Sequence, residues 1–330
     1  MKNVLFIGMN FYLYEKNIIK KLSNRYQVYY FVDKKDFFLD HFHIKRSEQK
    51  RKEIIKKYQQ KELKKIEDVE LDYVFVLVGR YLQRDFLEVI KKRNLNCKFI
   101  LYLWDDVKRV NNFNEVRDIY DRIISFDPKD ASENNFEFVP LMYNELNIIN
   151  SQMNYDIYSL MYIHSDRVNI AKKIAETQGI KCNLIFKCPL KIAFINAIHF
   201  FNSNQYRGLK FKKRNVAYRK VIEDMQKSKS ILDIQFPSQI GLTMRTFDVM
   251  SVGRKMITTN ASIIYYDFYN PNNICIIERD TPIVQREFLN NSYEAINDTI
   301  LYKYSLDNWV RVIFDGKSEK YLKDNNPWGL

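Results

Sequence analysis

Residues 233–260 read DIQFPSQIGLTMRTFDVMSVGRKMITTN. The apolar run 230–234 (SILDI) that leads in suits a strand buried on both faces. Pro237, Ser238 and Gly241 punctuate a loop, residues 243–252 fit a helix, and Gly253 ends it. Lys255 to Thr259 then form the next strand. Strand, loop, helix and strand in this order make one step of a doubly wound parallel sheet. The loop 236–242 brings backbone N–H groups and a helix N-terminus to the carboxyl edge of its strand, an anion site suited to a diphosphate. Arg245 falls in the first helical turn, where its fork can meet phosphate oxygens. Asp248, three residues on, projects from the same helix face and could accept two vicinal hydroxyls.

The same alternation extends outward in both directions. Toward the N-terminus, Val4-Leu5-Phe6-Ile7 is a continuous apolar strand broken by Gly8. Helix 14–23, strand 27–32, a long basic helix 44–66, strand 72–78, helix 82–93, strand 98–103 and strand 123–126 follow. A second alternation starts at strand 157–163, with helix 167–178, strand 183–187, helical segments near 190–201 and 217–228, helix 243–252, and strands at 255–259 and 273–277. The expectation is an α/β protein of two Rossmann-like doubly wound domains facing across a cleft, with ligands at the carboxyl ends of the strands. The division is 1–150 and 151–330, which leaves the last helix free to pack back on the N-terminal domain.

Composition narrows the class. The chain has 330 residues, 46% hydrophobic, enough for two buried cores and too much for intrinsic disorder. Its eight glycines exclude glycine repeats and leave little room for a glycine-rich phosphate loop. The formal net charge of +13 is concentrated in 45–66 and 207–220, each carrying +7, and that implies a polyanionic partner. Cys97, Cys182, Cys188 and Cys275 form no CxxC pair, and His41, His43, His164 and His199 show no zinc spacing with them, so no metal is expected. The N-terminus lacks the features of a signal peptide, and no apolar run approaches the roughly 20 residues of a membrane span. A cytoplasmic protein is expected, with peripheral membrane contact an open option.

The string Pro237-Ser238-x-x-Gly241-Leu242-Thr243-x-Arg245-Thr246-Phe247-Asp248-x-Met250-x-x-Gly253 resembles the donor-binding signature of GT-B glycosyltransferases of the group 1 type. It is nearest to enzymes of bacterial capsule, exopolysaccharide and lipopolysaccharide synthesis, and to their CgeB-like branch with its R-x-F-E helix. Ile7-Gly8, Leu103-Trp104-Asp105, Tyr120-Asp121-Arg122, Ser125-Phe126-Asp127, the Tyr162–Arg167 loop and Tyr269-Asn270-Pro271-Asn272-Asn273-Ile274 fit the same group. The resemblance implies a nucleoside-diphosphate sugar bound by the C-terminal half and a glycan or lipid-linked glycan acceptor bound by the N-terminal half. It also implies a cytoplasmic transferase without metal or other cofactor. Arg245 with Thr243 and Thr246 would hold the diphosphate and Asp248 the ribose, with Lys187, His164, Ser165 and Arg167 as further donor contacts. Asp248 stands where most relatives carry Glu, and the glycine-rich acidic loop of many retaining members is absent.

An inverting transfer needs a base for the acceptor hydroxyl. Asp105, ending a strand of the N-terminal half, is the candidate; Asp33 and the pair His41/His43 also follow a strand and compete with it. A retaining transfer needs no such base. Two other functions use the same features. The basic segments 45–66 and 207–220 could bind nucleic acid, although no helix-turn-helix, zinc-finger or RNP motif is present. The two-domain fold could instead epimerise a sugar nucleotide. Docking on an anionic membrane, through the basic segments and the apolar-aromatic stretch 190–201, is the remaining use of the charge.

Overall fold

Four apolar residues in a row leave a strand no solvent face, so Val4 to Ile7 must lie inside a sheet covered on both sides. The computed structural model describes residues 1–9, 12–34, 47–110, 112–177, 179–188, 209–212 and 216–330, and in it all four are fully buried in β1 (Lys2–Gly8). The stretch 190–201, His41 and His43 lie outside the described residues. The chain divides into two compact units. The first comprises Met1–Pro140, Trp309–Glu319 and Trp328–Leu330, and the second Leu141–Asn308 and Lys320–Pro327.

The first unit runs β1, α1 (Tyr12–Leu22), β2 (Tyr26–Val32), α2 (Glu48–Lys64), β3 (Tyr73–Leu77), α3 (Arg84–Arg93), β4 (Lys98–Leu103), α4 (Phe113–Val116), β5 (Arg122–Ser125), α5 (Pro128–Asn134) and β6 (Glu137–Phe138). Its sheet has the order β2-β1-β3-β4-β5-β6, and every pair is parallel. Local sequence sets the helix ends. Asp127 accepts the N–H groups of Lys129 and Asp130 ahead of Pro128, and α5 stops at Asn135 in the left-handed region. Ser47 caps α2 by accepting the Lys50 N–H. Trp309, buried in this unit, lies edge-on to Tyr102 with ring centres 4.8 Å apart and also meets Phe75. Phe314 meets Tyr26, Tyr73 and Phe75.

The second unit runs β7 (Tyr155–Tyr162), α6 (Arg167–Ala175), β8 (Cys182–Lys187), β9 (Leu209–Lys212), α7 (Tyr218–Gln226), β10 (Ser228–Asp233), α8 (Met244–Val252), β11 (Lys255–Thr258), β12 (Ile274–Ile276), α9 (Arg286–Asn290) and α10 (Asp298–Lys303). The last helix, α11 (Leu306–Asp315), begins here and ends in the first unit. The second sheet, order β12-β11-β10-β7-β8-β9, is also parallel throughout. Helix α8 stops at Gly253, whose φ of 60° is the left-handed value that glycine takes without strain. Each unit is thus a Rossmann-like α/β layer, the fold class that the alternation predicts.

Two described strands were not expected from sequence. β6 is only two residues long. β9 alternates Leu209 and Phe211 with Lys210 and Lys212 at the sheet edge, so it reads as part of a basic segment. Charged side chains on an edge strand discourage pairing with other chains.

Candidate functional site

A doubly wound sheet opens a crevice where its strand order reverses. In the second unit that point lies between β7 and β10, flanked by the loop 163–166 and by the loop 234–243 leading into α8. Asp233 ends β10 and is almost fully buried at 1% exposure. Its Oδ2 accepts the Thr243 hydroxyl at 2.7 Å, and its Oδ1 pairs with Arg245 Nη1 at 3.1 Å. Arg245 Nη2 donates to the Leu160 carbonyl, while its Nε is buried with no partner. Thr243 donates its hydroxyl to Asp233, and its side chain accepts no N–H of α8. Thr246 Oγ1, in the first turn, is also buried without a partner. The positive end of α8 therefore carries unsatisfied polar atoms.

Two further guanidiniums converge there. Arg167 opens α6 and donates to the Ile234 carbonyl at 2.5 Å and the Tyr162 carbonyl at 3.3 Å. Burial lowers its pKa to about 10, with Arg245 and Arg279 pushing the same way and Asp233 opposing. Arg279, just beyond β12, holds Asp166 with Nη1 at 2.8 and 3.0 Å and the Gln235 carbonyl with Nη2 at 2.8 Å. Burial raises the Asp166 carboxyl, but the Arg279 bonds outweigh it and the net shift is downward. Three guanidiniums meeting two carboxylates leave one positive charge in excess, a field for an anion.

Of the sequence candidates, Arg245, Thr243, Thr246 and Arg167 come together around this crevice. His164 and Ser165 form its β7 wall. His164 Nδ1 lies 3.0 Å from Ser165 Oγ, its ring meets Phe236 at 5.5 Å, and Ser165 sits at φ 46°. A non-glycine residue in that region marks local backbone strain. Lys187 ends β8 and donates to the Tyr162 hydroxyl at 2.6 Å, in register with it across the sheet. Asp248 makes a contact of its own. Its carboxylate, 5% exposed, accepts the Tyr218 hydroxyl at 2.8 Å and ties α8 to α7. Arg245 thus meets Asp233, and Asp248 meets Tyr218. Sequence reasoning missed Asp233, Asp166 and Arg279 as site residues. Only their position at strand ends hinted at a role.

The first unit places Asp105 at the end of β4, paired with Arg80 and, at 3.5 Å, with Arg109. Its neighbour Asp106 is raised by burial and by the charges of Asp127 and Asp130. Asp33, just past β2, is buried at 4% exposure, and burial pushes its carboxyl up to about 6 against the Tyr81 N–H and the Lys34 and Arg80 charges. Beside it Glu15 accepts the Met9 N–H at 2.9 Å and the Tyr30 hydroxyl at 2.5 Å. A Cβ at Gly8 would stand 2.3 Å from Glu15 Oε2, so a side chain there would displace the Glu15 carboxylate. Among the described residues no group of three or more His, Cys, Asp or Glu is placed to hold a metal ion. No described helix is long and apolar enough to cross a membrane.

No protein-family model matches the chain, and no curated protein sequence matches it. Solved structures do. OtsA in its apo form superposes with a TM-score of 0.63 at 10% identity, over 97% of this chain and 100% of that one. A trehalose-6-phosphate protein from E. coli bound with UDP-2-fluoro glucose gives 0.57 at 9% identity, over 98% and 100%. HepE from Anabaena in complex with UDP-glucose gives 0.52 at 11% identity, over 88% of each chain. At these identities the likeness is one of fold, the two Rossmann-like units of the GT-B class.

Proposed function

We propose that this protein is a metal-independent glycosyltransferase that moves a hexosyl group from a nucleoside-diphosphate sugar to a hydroxyl of a bacterial surface glycan, presented on a lipid-linked acceptor. One observation carries the reading. Arg167, Arg245 and Arg279 cluster at the strand-order reversal of the second unit, Arg167 and Arg279 on the start of the loop that leads into α8 and Arg245 in that helix's first turn. The leaving diphosphate gains charge in the transition state, and preorganised guanidiniums and N–H groups are the donors that stabilise it. Thr243 and Thr246 add hydroxyls at the same helix end, and His164, Ser165 and Lys187 edge the crevice toward the sugar. A ribose bond to Asp248 would require it to release Tyr218. The structures bound with UDP-2-fluoro glucose and UDP-glucose support a uridine nucleotide.

The first unit then supplies the acceptor side. In an inverting course the hydroxyl proton goes to a carboxylate. Asp105 is held by two arginines, whereas burial pushes the Asp33 carboxyl up to about 6, near the optimum for a base at neutral pH. In a retaining course neither is needed.

Thermal shifts with UDP, GDP, dTDP, ADP and CMP test the donor site. A nucleotide at 100 times its Kd adds about 2.7 kcal/mol to stability. One nucleotide is expected to stabilise the wild type and to lose that effect in Arg279→Gln, which leaves the partly exposed carboxylate of Asp166 open to water. Arg245→Ala serves as the second variant. No shift with any nucleotide refutes the reading.

A further inference from the structure

Strand β3 runs out into an unusual backbone. Val78, at φ 65°, is a β-branched residue in the left-handed region, and Gly79 follows at the same value. The Gly79 N–H returns to the Leu77 carbonyl at 2.8 Å, which closes a γ-turn of the strained hand. For a valine this φ is a steric outlier, and it persists only where the surroundings over-determine it. Here the Val78 side chain is buried, and its N–H donates to the Tyr102 carbonyl at 2.9 Å. Gln59, buried in α2, donates to the carbonyls of Asp33 and Tyr81 at 3.1 and 2.8 Å and accepts the Gln83 N–H at 3.3 Å. Asn112 donates to the carbonyls of Gly79, at 3.4 Å, and of Leu82.

The clamped turn delivers two donors. Arg80 leaves it toward Asp105, to whose Oδ2 its Nη2 donates, and the Tyr81 N–H reaches Asp33 Oδ2 at 3.3 Å. That N–H is the one hydrogen bond the Asp33 carboxylate accepts among the described residues. Glu15 of α1, Tyr30 of β2, Tyr58 of α2, Tyr120 ahead of β5, Lys34 and Arg80 are the titratable and charged groups that act on it. Of its two cations, Arg80 is the one the turn places. We propose that the turn at Val78 is a positioning element of the acceptor side: it sets Arg80 against Asp105 and the Tyr81 N–H against Asp33, so that Asp105 is held in an ion pair and Asp33 is left to take the proton of an acceptor hydroxyl. This rests on the reading of the first unit as the acceptor side. A relaxed turn would carry residues 80 and 81 away from both carboxylates and erase the difference between them, which is why strain at this point is retained.

The test follows the Asp33 carboxyl by carbon-13 NMR of the whole protein labelled at aspartate, its resonance assigned by its loss in Asp33→Asn. In the wild type it titrates at about 6. A Cβ at Gly79 would stand 2.7 Å from Val76 Cγ1 on a backbone held at φ 65°, so Gly79→Ala must open the turn. With the Tyr81 N–H and Arg80 withdrawn, Asp33 should bind its proton about tenfold more tightly. Val78→Gly takes the same φ without strain and should keep the wild-type titration. Arg80→Gln changes a side chain that is 33% exposed, so it decides the matter if Gly79→Ala does not fold, and it should tighten proton binding severalfold. An unchanged Asp33 titration in folded Gly79→Ala or in Arg80→Gln overturns the inference, as does a shift in Val78→Gly equal to that in Gly79→Ala. Release of UDP from UDP-glucose into water is the second readout. It should fall as pH drops through about 6 in the wild type, and at higher pH in Gly79→Ala; release indifferent to pH in this range removes Asp33 from the role. A wild type that releases no UDP, with the NMR shifts present, refutes the transferase reading and leaves the hold of the turn on the two carboxylates intact.

Discussion

Replacing Asp233 by Asn separates stability from ligand binding in a way that few substitutions can. The carboxylate is 1% exposed, lies 3.1 Å from Arg245 Nη1 and accepts the Thr243 hydroxyl. Asn keeps the shape and an acceptor for Thr243 but removes the charge. Three guanidiniums then meet the single carboxylate of Asp166. Breaking one partner of a buried pair costs about 3–5 kcal/mol. At about 2–4 °C per kcal/mol for a unit of this size, the melting temperature should fall by roughly 6–20 °C. The same change frees Arg245 and deepens the positive field at the end of α8, so a nucleoside diphosphate now supplies the missing negative charge. The nucleotide-induced rise in melting temperature should therefore be larger in Asp233→Asn than in the wild type, and inorganic diphosphate should reproduce part of it. Calorimetric scans with and without nucleotide measure both. A variant that melts within a degree or two of the wild type refutes the buried-pair argument. One that melts early but gains nothing from nucleotide refutes the placement of the anion beside Asp233.

Asp33 has a folded pKa of about 6, above its usual 3.8, so ionising it opposes folding. That penalty is complete above pH 6 and fades as pH falls toward 4. Asp33→Asn should thus stabilise the protein at pH 8 by up to about 3 kcal/mol and by much less at pH 4, as denaturant titrations at the two values will show. If Asp33 is the base of an inverting transfer, wild-type turnover falls as pH drops through 6 and the Asn variant loses it, whereas activity that persists in the variant returns the role to Asp105 or to a retaining course. Tyr218→Phe removes the donor to buried Asp248 and should cost about 1–3 kcal/mol. Nucleotide affinity holds steady if Asp248 is purely a tie between α7 and α8, and rises if it turns to the ribose. Trp309→Ala empties a fully enclosed site against Tyr102 and Phe75 and should cost about 3–5 kcal/mol by thermal or chemical denaturation.

The fold was legible because its central strands are short apolar runs with no polar alternation, and a parallel sheet buries both of their faces. β1, β4 and β10 needed no tertiary information. The edges did: β9 interleaves two lysines, and β6 is too short for any period to show. The basic stretch predicts a helix over 44–66, and the described helix runs from Glu48, behind the Ser47 cap, to Lys64. At the site, Arg245 stood out through its place in a recognisable string. Its partner did not, because Asp233 reaches it from the end of the preceding strand, twelve positions earlier in the chain. Arg279 was hidden more deeply still, 113 residues from the Asp166 that it holds. Spacing along a chain announces neighbours on one helix, and it says nothing about which strand ends a sheet will gather.

The return of Trp309 and Phe314 to the first unit bears on how the protein is made. Most of that unit precedes residues 141–308, yet its aromatic centre waits for residues that a ribosome adds after them. Domains generally fold in the order they emerge, at roughly 5–20 residues per second. Here residues 1–140 are expected to stay without that aromatic centre for something on the order of ten to thirty seconds, while 141–308 are completed. Nascent chains stalled short of Trp309 should accordingly present a protease-sensitive first unit beside a second unit that is already largely resistant.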